Sequence, residues 1–143
     1  MNLYFAHGFH NRQNGKALQK VIETTWPEIK LLNPFYDRDR PEMKEIDEGL
    51  RDRYDVPPKD IVESDLDTID GADGVFAWID ENVKYGTSME VFYASVTLAL
   101  PVVLLVTNGD EKHPWLQYCS DYIAKDHKQL QGAFNLLLKE FKE

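Results

Sequence analysis

The stretch from Ala72 to Leu105 constrains the fold of this chain more than any other. It holds an apolar run, Val75-Phe76-Ala77-Trp78-Ile79, bounded by Gly74 and Asp80. A short polar break follows, then a helix-length segment of periodic apolar residues from Gly86 to Leu100. After Pro101 comes a second run, Val102-Val103-Leu104-Leu105-Val106. Strands buried on both faces read as continuous apolar runs, and two of them joined by a helix form the strand-helix-strand unit of a parallel sheet. Ligands bind such sheets at the carboxyl ends of the strands. Gly86 to Glu90 falls there, where the chain leaves strand 74–79 and starts a helix, so a carboxylate at that place faces the crevice.

The rest of the chain extends this unit. Leu3-Tyr4-Phe5-Ala6 reads as a short buried first strand and His7-Gly8-Phe9-His10-Asn11 as the loop after it, where Gly8 permits a tight turn or a close approach. From Asn14 to Thr25, Ala17, Leu18, Val21 and Ile22 recur at helical spacing and predict a helix packed on the sheet. Glu28-Ile29-Lys30-Leu31-Leu32 reads as a second strand. Residues 33–58 are punctuated by Pro34, Pro41, Pro57 and Pro58 and dense in charge, with Asp37-Arg38-Asp39-Arg40 and Arg51-Asp52-Arg53. Mixed charge of this kind is usually a solvated face; a loop this long in a compact domain is otherwise a substrate lid or binding loop. Met43, Ile46 and Leu50 predict a short helix within it.

Pro58 suits the first turn of the next helix, with Asp60 and Glu63 near its positive end. Ile61, Val62, Leu66 and Ile69 form its expected buried stripe, with Asp65 at the edge. Thr107-Asn108-Gly109-Asp110 reads as a turn, Pro114 to Ile123 as a short helix and an edge strand, and Leu130, Phe134, Leu137, Leu138 and Phe141 as a final amphipathic helix. The expected fold is a single domain over 1–143: three-layer α/β/α, flavodoxin-like (Rossmann-like), with about five parallel strands.

Charge and cysteine content narrow the function. A net charge of −9 argues against a nucleic acid polymer as partner, since its phosphates meet an acidic surface. A small uncharged or cationic ligand remains, as does an anion held by a local basic pocket. The single Cys119 leaves no disulfide within the chain and no multi-cysteine metal site, which suits a reducing cytoplasm. No apolar run approaches the roughly 18 residues of a membrane span, and no charged n-region precedes an apolar h-region. The expectation is a soluble cytoplasmic protein without a membrane partner. His7 and His10 share a loop while His113 and His127 lie far along the chain, so no metal-ligand spacing is present and no cofactor is expected.

Thr87-Ser88-Met89-Glu90 has the spacing of a capping box, in which Glu90 reaches back to cap its own helix. A carboxylate fixed near a helix N-terminus, at the carboxyl end of a strand, is also a competent nucleophile. Both roles are open on spacing alone.

Several blocks taken together resemble the nucleoside 2-deoxyribosyltransferase family. They are Tyr4-Phe5-Ala6-His7-Gly8-Phe9 with Arg12-Gln13-Asn14, Ser64-Asp65-Leu66-Asp67 leading into Ala72-Asp73, Gly86-Thr87-Ser88-Met89-Glu90-Val91-Phe92-Tyr93-Ala94, and Leu100-Pro101-Val102. They stand in the family's order from the first strand to about Val106. The resemblance implies that Glu90 attacks C1′ of a 2′-deoxynucleoside, that Asp65 handles the base and its proton, and that Tyr4 lies beside the nucleophile. It further implies substrate contacts from Gly8, Phe9, Lys84, Gly86, Thr87 and Met89, no cofactor or metal, and a homo-oligomer. The partners implied are a deoxynucleoside and a free nucleobase, or a deoxynucleotide.

The chain departs from the family at three places. Lys84 stands where the family usually has an acidic residue two places before the glycine; Asp80 or Glu81 are candidates to compensate. The Asn-Leu-Met block lent to a neighbouring subunit has no clear counterpart, Trp115-Leu116-Gln117 standing near that place, and the terminal tyrosine is replaced by Lys142-Glu143. A lysine suits a phosphate, so the second enzyme reading is a 2′-deoxynucleoside 5′-monophosphate N-glycosidase with Arg12, Asn11, His10 and Lys84 as candidate phosphate ligands. A third reading is a non-catalytic nucleotide-binding domain of the same fold.

Overall fold

All strands of the sheet run parallel, in the order β2-β1-β3-β4-β5, where β1 is Asn2–Ala6, β2 Lys30–Leu32, β3 Gly74–Ile79, β4 Val102–Val106 and β5 Tyr122–Ala124. The computed structural model describes residues 1–37 and 39–143; Arg38 of the charge run lies outside the described residues. Because β2 lies on one side of β1 and β3 on the other, successive connections leave β1 in opposite directions, and a crevice opens at the carboxyl ends of β1 and β3.

Alternation along the strands assigns each side chain to a face. Leu3, Phe5, Phe76, Val103 and Leu105 point to one side, where α1 (Arg12–Thr25) and α6 (His127–Lys142) cover them with Ile22, Leu130, Phe134 and Leu137. Phe5 stacks on Phe76 at 5.1 Å between centroids, and Phe134 meets Phe76 at 5.3 Å. On the other side Tyr4, Ala6, Val75, Ala77, Val102, Leu104 and Val106 lie under α3 (Pro58–Asp70), α4 (Tyr85–Phe92) and α5 (Pro114–Cys119), sealed by Ile69, Val91, Ala94 and Cys119. These two layers are the expected α/β/α sandwich. Among the described residues no helix is long and apolar enough to cross a membrane.

The segment between β2 and α3 folds over the crevice. It carries α2 (Pro41–Asp47), flanked by 3-10 turns at Pro34–Tyr36 and Arg53–Asp55. Met43, Ile46 and Val56 form a small core of their own with Phe9, Phe35 and Ile61. Leu50, expected on the inner side of this helix, is 75% exposed. The helix stops at Asp47, and Gly49 turns the chain away at φ 75°. Val62 is likewise not buried: it sits on the crevice side of α3, where no element covers it.

The apolar segment after Gly86 is a helix, but not a uniform one. α4 widens into a π-helical turn at Tyr93–Thr97, and the chain reverses at Ala99, which holds φ 53°. An L-residue with a Cβ pays about 1 kcal/mol for that left-handed conformation. Ala99 is exposed, so Ala99→Gly loses no packing. It should raise the melting midpoint by roughly 2–4 °C for a domain of this size, read by a thermal melt; a fall would mean that the site carries no strain.

Candidate active site

Tyr4 is wholly buried on the α4 side of β1, and a phenol buried under helices needs a partner for its hydroxyl. That hydroxyl donates to Glu90 Oε2. The capping-box alternative for Glu90 is not what the helix adopts. α4 begins at Tyr85 with Lys84 as its N-cap, and no side chain caps it. Glu90 therefore lies beyond the first turn and turns to the sheet instead of back along its own helix. Asp65, on α3, faces the same place and accepts from Arg40 Nη1 at 2.5 Å.

The electrostatics follow from burial. Glu90 is pushed up to about 8, first by desolvation and then by the negative charge of Asp65, with the Tyr4 hydrogen bond and Arg40 pulling the other way. Burial also raises Asp65, but the hydrogen bond and charge of Arg40, and the Tyr4 hydroxyl, oppose it. Tyr4 is held well above its usual range by desolvation and by the two carboxylates, so it remains a proton donor. Two carboxyls that feel each other's charge in this way titrate as a pair. With a guanidinium in contact with Asp65 and none in contact with Glu90, Glu90 is the member of the pair that holds a proton more tightly.

Above them lies a cleft of about 430 Å³, within the range of small-molecule sites. Phe9, Phe35, Met43, Ile46, Val56 and Ile61 give it apolar lining, Asp65 and Glu90 its carboxyls, and His10, Arg53 and Lys84 its basic groups. Of the residues singled out in the sequence, Gly8, Phe9, Lys84, Gly86, Thr87, Asp65 and Glu90 line this cleft, and Tyr4 lies against Glu90. Met89 does not. One residue along the helix turns a side chain by about 100°, so with Glu90 facing inward Met89 is 66% exposed.

Gly8 serves close approach rather than an unusual turn. Its φ is −69°, and a Cβ there would sit 3.0 Å from the Asn82 carbonyl oxygen. The loop before α4 is held by Asp80, which accepts from the Asn11 side chain and from Asn82 N–H. Asp80 is thus spent on the loop and does not line the cleft in place of an acidic residue at 84. Of the candidate phosphate ligands, His10 and Lys84 reach the cleft. Asn11 is bound to Asp80, and Arg12 pairs with Asp47 at 2.7 Å while its guanidinium covers the Phe9 ring at 4.1 Å. Buried His7 is held below its ordinary range by desolvation. Its ring lies where a Cβ on Gly15 would come within 2.8 Å, and it contacts Asn33 Oδ1 through Nε2 at 3.2 Å.

Sequence reasoning did not find Arg40 and Arg53. Both belong to the charged segment read as a solvated face, yet Arg40 is 6% exposed and Arg53 lines the cleft with its guanidinium 4.8 Å from the Phe9 centroid. The one available signal for Arg40 was its place directly before Pro41, at a helix start.

Compared as a sequence, the chain matches no family model and no curated protein. Compared as a fold, it superposes on a 2-deoxyribosyltransferase from the psychrotolerant bacterium Bacillus psychrosaccharolyticus with a TM-score of 0.66 and 18% identity, covering 91% of this chain and 90% of that one. It also superposes on the CMP N-glycosidase of Clostridium botulinum with a TM-score of 0.52 and 17% identity, over 95% of this chain and 99% of that one. The likeness is one of fold, the flavodoxin-like arrangement expected from the sequence.

Proposed function

We propose that this chain is a nucleoside 2-deoxyribosyltransferase that moves a 2-deoxyribosyl group between nucleobases through a covalent ester on Glu90. The observation that carries this reading is the contact of Tyr4 with Glu90, which with Asp65 lines a nucleoside-sized cleft. Two neighbours of the same fold, a 2-deoxyribosyltransferase and a CMP N-glycosidase, support N-glycosidic chemistry in general.

Breaking the bond from C1′ to a base leaves positive charge on the sugar, which a carboxylate close by stabilises and then captures. Tyr4 donates to Oε2, leaving the other oxygen of Glu90 for C1′. The departing base takes a proton from Asp65, and a second base attacks C1′ of the ester, releases Glu90 and returns a proton to Asp65. Each half-reaction needs one proton in the carboxyl pair: none on Glu90 as it attacks, one on Asp65. Tyr4, hydrogen-bonded to Glu90, is placed to pass the proton held there in the free chain towards Asp65. Turnover therefore follows a bell-shaped pH dependence. Its alkaline limb lies at about 8, where the last proton leaves the pair.

The basic groups of the cleft favour a second reading, a 2′-deoxynucleoside 5′-monophosphate N-glycosidase in which water replaces the acceptor base. Lys84 and Arg53 present two cations to a site that a neutral nucleoside does not need. Incubation with a deoxynucleoside plus a free base, and separately with a deoxynucleotide in water, distinguishes them. Base exchange without net hydrolysis supports the transferase, free deoxyribose 5-phosphate supports the hydrolase, and neither product overturns both. Lys84→Met sharpens the comparison. For transfer between nucleosides it leaves KM within about two-fold, whereas loss of a charged hydrogen bond to a phosphate raises the KM for a deoxynucleotide by about ten-fold or more.

A further inference from the structure

The Arg40 guanidinium is placed in a way that the fold alone does not explain. Arg40 lies at the N-cap of α2, its carbonyl accepting from Met43 N–H at 3.0 Å, and α2 is anchored by Met43 and Ile46 in the small core over the crevice. The side chain runs inward and is 6% exposed. Nη1 meets Asp65 Oδ1 at 2.5 Å, while Nε and Nη2 are buried without a hydrogen-bond partner among the described residues. Glu42 Oε1 stands 3.6 Å from Nε, near enough to feel the charge but outside a hydrogen bond. Burying a cation with donors unmet is costly, and one close ion pair does not offset the desolvation of a guanidinium. What the arrangement supplies is a fixed positive charge against Asp65.

We propose that Arg40 is a positioning residue for the carboxyl pair: clamped on Asp65 from the segment that covers the cleft, it fixes that side chain's orientation and holds its negative charge beside Glu90. Other groups act on the pair too. Tyr4 from β1 donates to Glu90 and lies within reach of the charge of Asp65, and Glu42 stands behind the guanidinium. His7, His10, Arg53 and Lys84 line the same cleft. Arg40 alone among these is a cation within hydrogen-bond distance of Asp65. Because it rides on α2, covering the cleft and setting the charge of the pair are one structural event.

The role in turnover rests on the N-glycosidic reading; the effect on the pair does not, and it is measured without substrate. Titration of the Asp65 and Glu90 side-chain carboxyls by 13C NMR in the folded, ligand-free chain should show Asp65 ionising first and Glu90 last. In Arg40→Met the lower step moves up by about 1–2 pH units, and Arg40→Lys, which keeps the charge, returns most of it. Where methionine is not tolerated, Arg40→Gln keeps a donor for Asp65 without the charge and gives the same shift. The acid limb of kcat/KM for base release moves with the lower step. A folded Arg40→Met or Arg40→Gln chain whose lower step stays within 0.3 pH unit overturns the proposal, as does Glu90 ionising before Asp65 in the parent chain. Shifted steps in a chain without N-glycosidic turnover contradict the proposed function and leave the role of Arg40 standing.

Discussion

Glu90→Gln should abolish base release and at the same time make the chain more resistant to heat at alkaline pH. The loss follows from the chemistry: an amide forms no ester with an anomeric carbon, and removing an activated nucleophile costs on the order of 10⁴-fold or more in rate. The gain in stability comes from the same burial that tunes the site. Glu90 rises from 4.5 to about 8 on folding, so the folded chain binds that proton more tightly than the unfolded one. Its contribution to stability is complete below pH 4.5 and is lost progressively as pH rises to about 8. Glutamine has no proton to lose and still accepts from the Tyr4 hydroxyl. At pH 9 the variant should be a few kcal/mol more stable, a rise of roughly 5 °C or more in the midpoint, whereas at pH 4 parent and variant should melt together. Thermal melts at the two pH values read the stability, and single-turnover base release reads the chemistry. Equal midpoints at pH 9 would mean that Glu90 is not held protonated by its surroundings.

The second large effect is expected at Asp65. Asp65→Asn keeps an oxygen for Arg40 Nη1 but carries no proton to give, so release of an ordinary base slows by about 10²–10⁴-fold. A base that leaves without being protonated escapes the penalty. A 7-methylated purine deoxynucleoside, already cationic on its base, should be cleaved within about ten-fold of the parent rate, since the remaining machinery of Tyr4 and Glu90 is untouched. Rates for the two substrates in parent and variant give a double comparison. An equal loss for both would remove Asp65 as the proton donor and leave it a purely structural partner of Arg40.

Much of the fold was legible because buried parallel strands announce themselves. Val75 to Ile79 and Val102 to Val106 are apolar on both faces, and the helix between them fixes their hand and order. Glu90 was singled out by its place at the end of a strand, and Tyr4 and Asp65 by the resemblance, but the contact between Tyr4 and Glu90 spans 86 positions of sequence, and no local pattern encodes it. The capping-box role left open by the spacing of Thr87 and Glu90 is not taken, because the start of α4 is set elsewhere, by a loop tied down through Asp80 and Asn11. Arg40 stayed hidden for a related reason. Solvated and buried arginines look alike in a charged segment, and what distinguishes this one is the packing of Met43 and Ile46, which draws the start of α2 onto the crevice. Leu50 and Val62 fitted helical spacing, yet lie where a helix has stopped or where no element covers it.

The central claim is a covalent bond between Glu90 and a sugar. The fluorine of a 2-fluoro-2-deoxy nucleoside analogue disfavours positive charge at C1′ and slows both formation and breakdown of such an ester, so that without an acceptor base the ester persists long enough to be trapped. After incubation, digestion and peptide mass mapping, the fluorinated sugar should be found on the peptide containing Glu90, and Glu90→Gln should carry none. The sugar attached to any other residue, or no labelled peptide from a chain that turns the parent nucleoside over, would contradict the account.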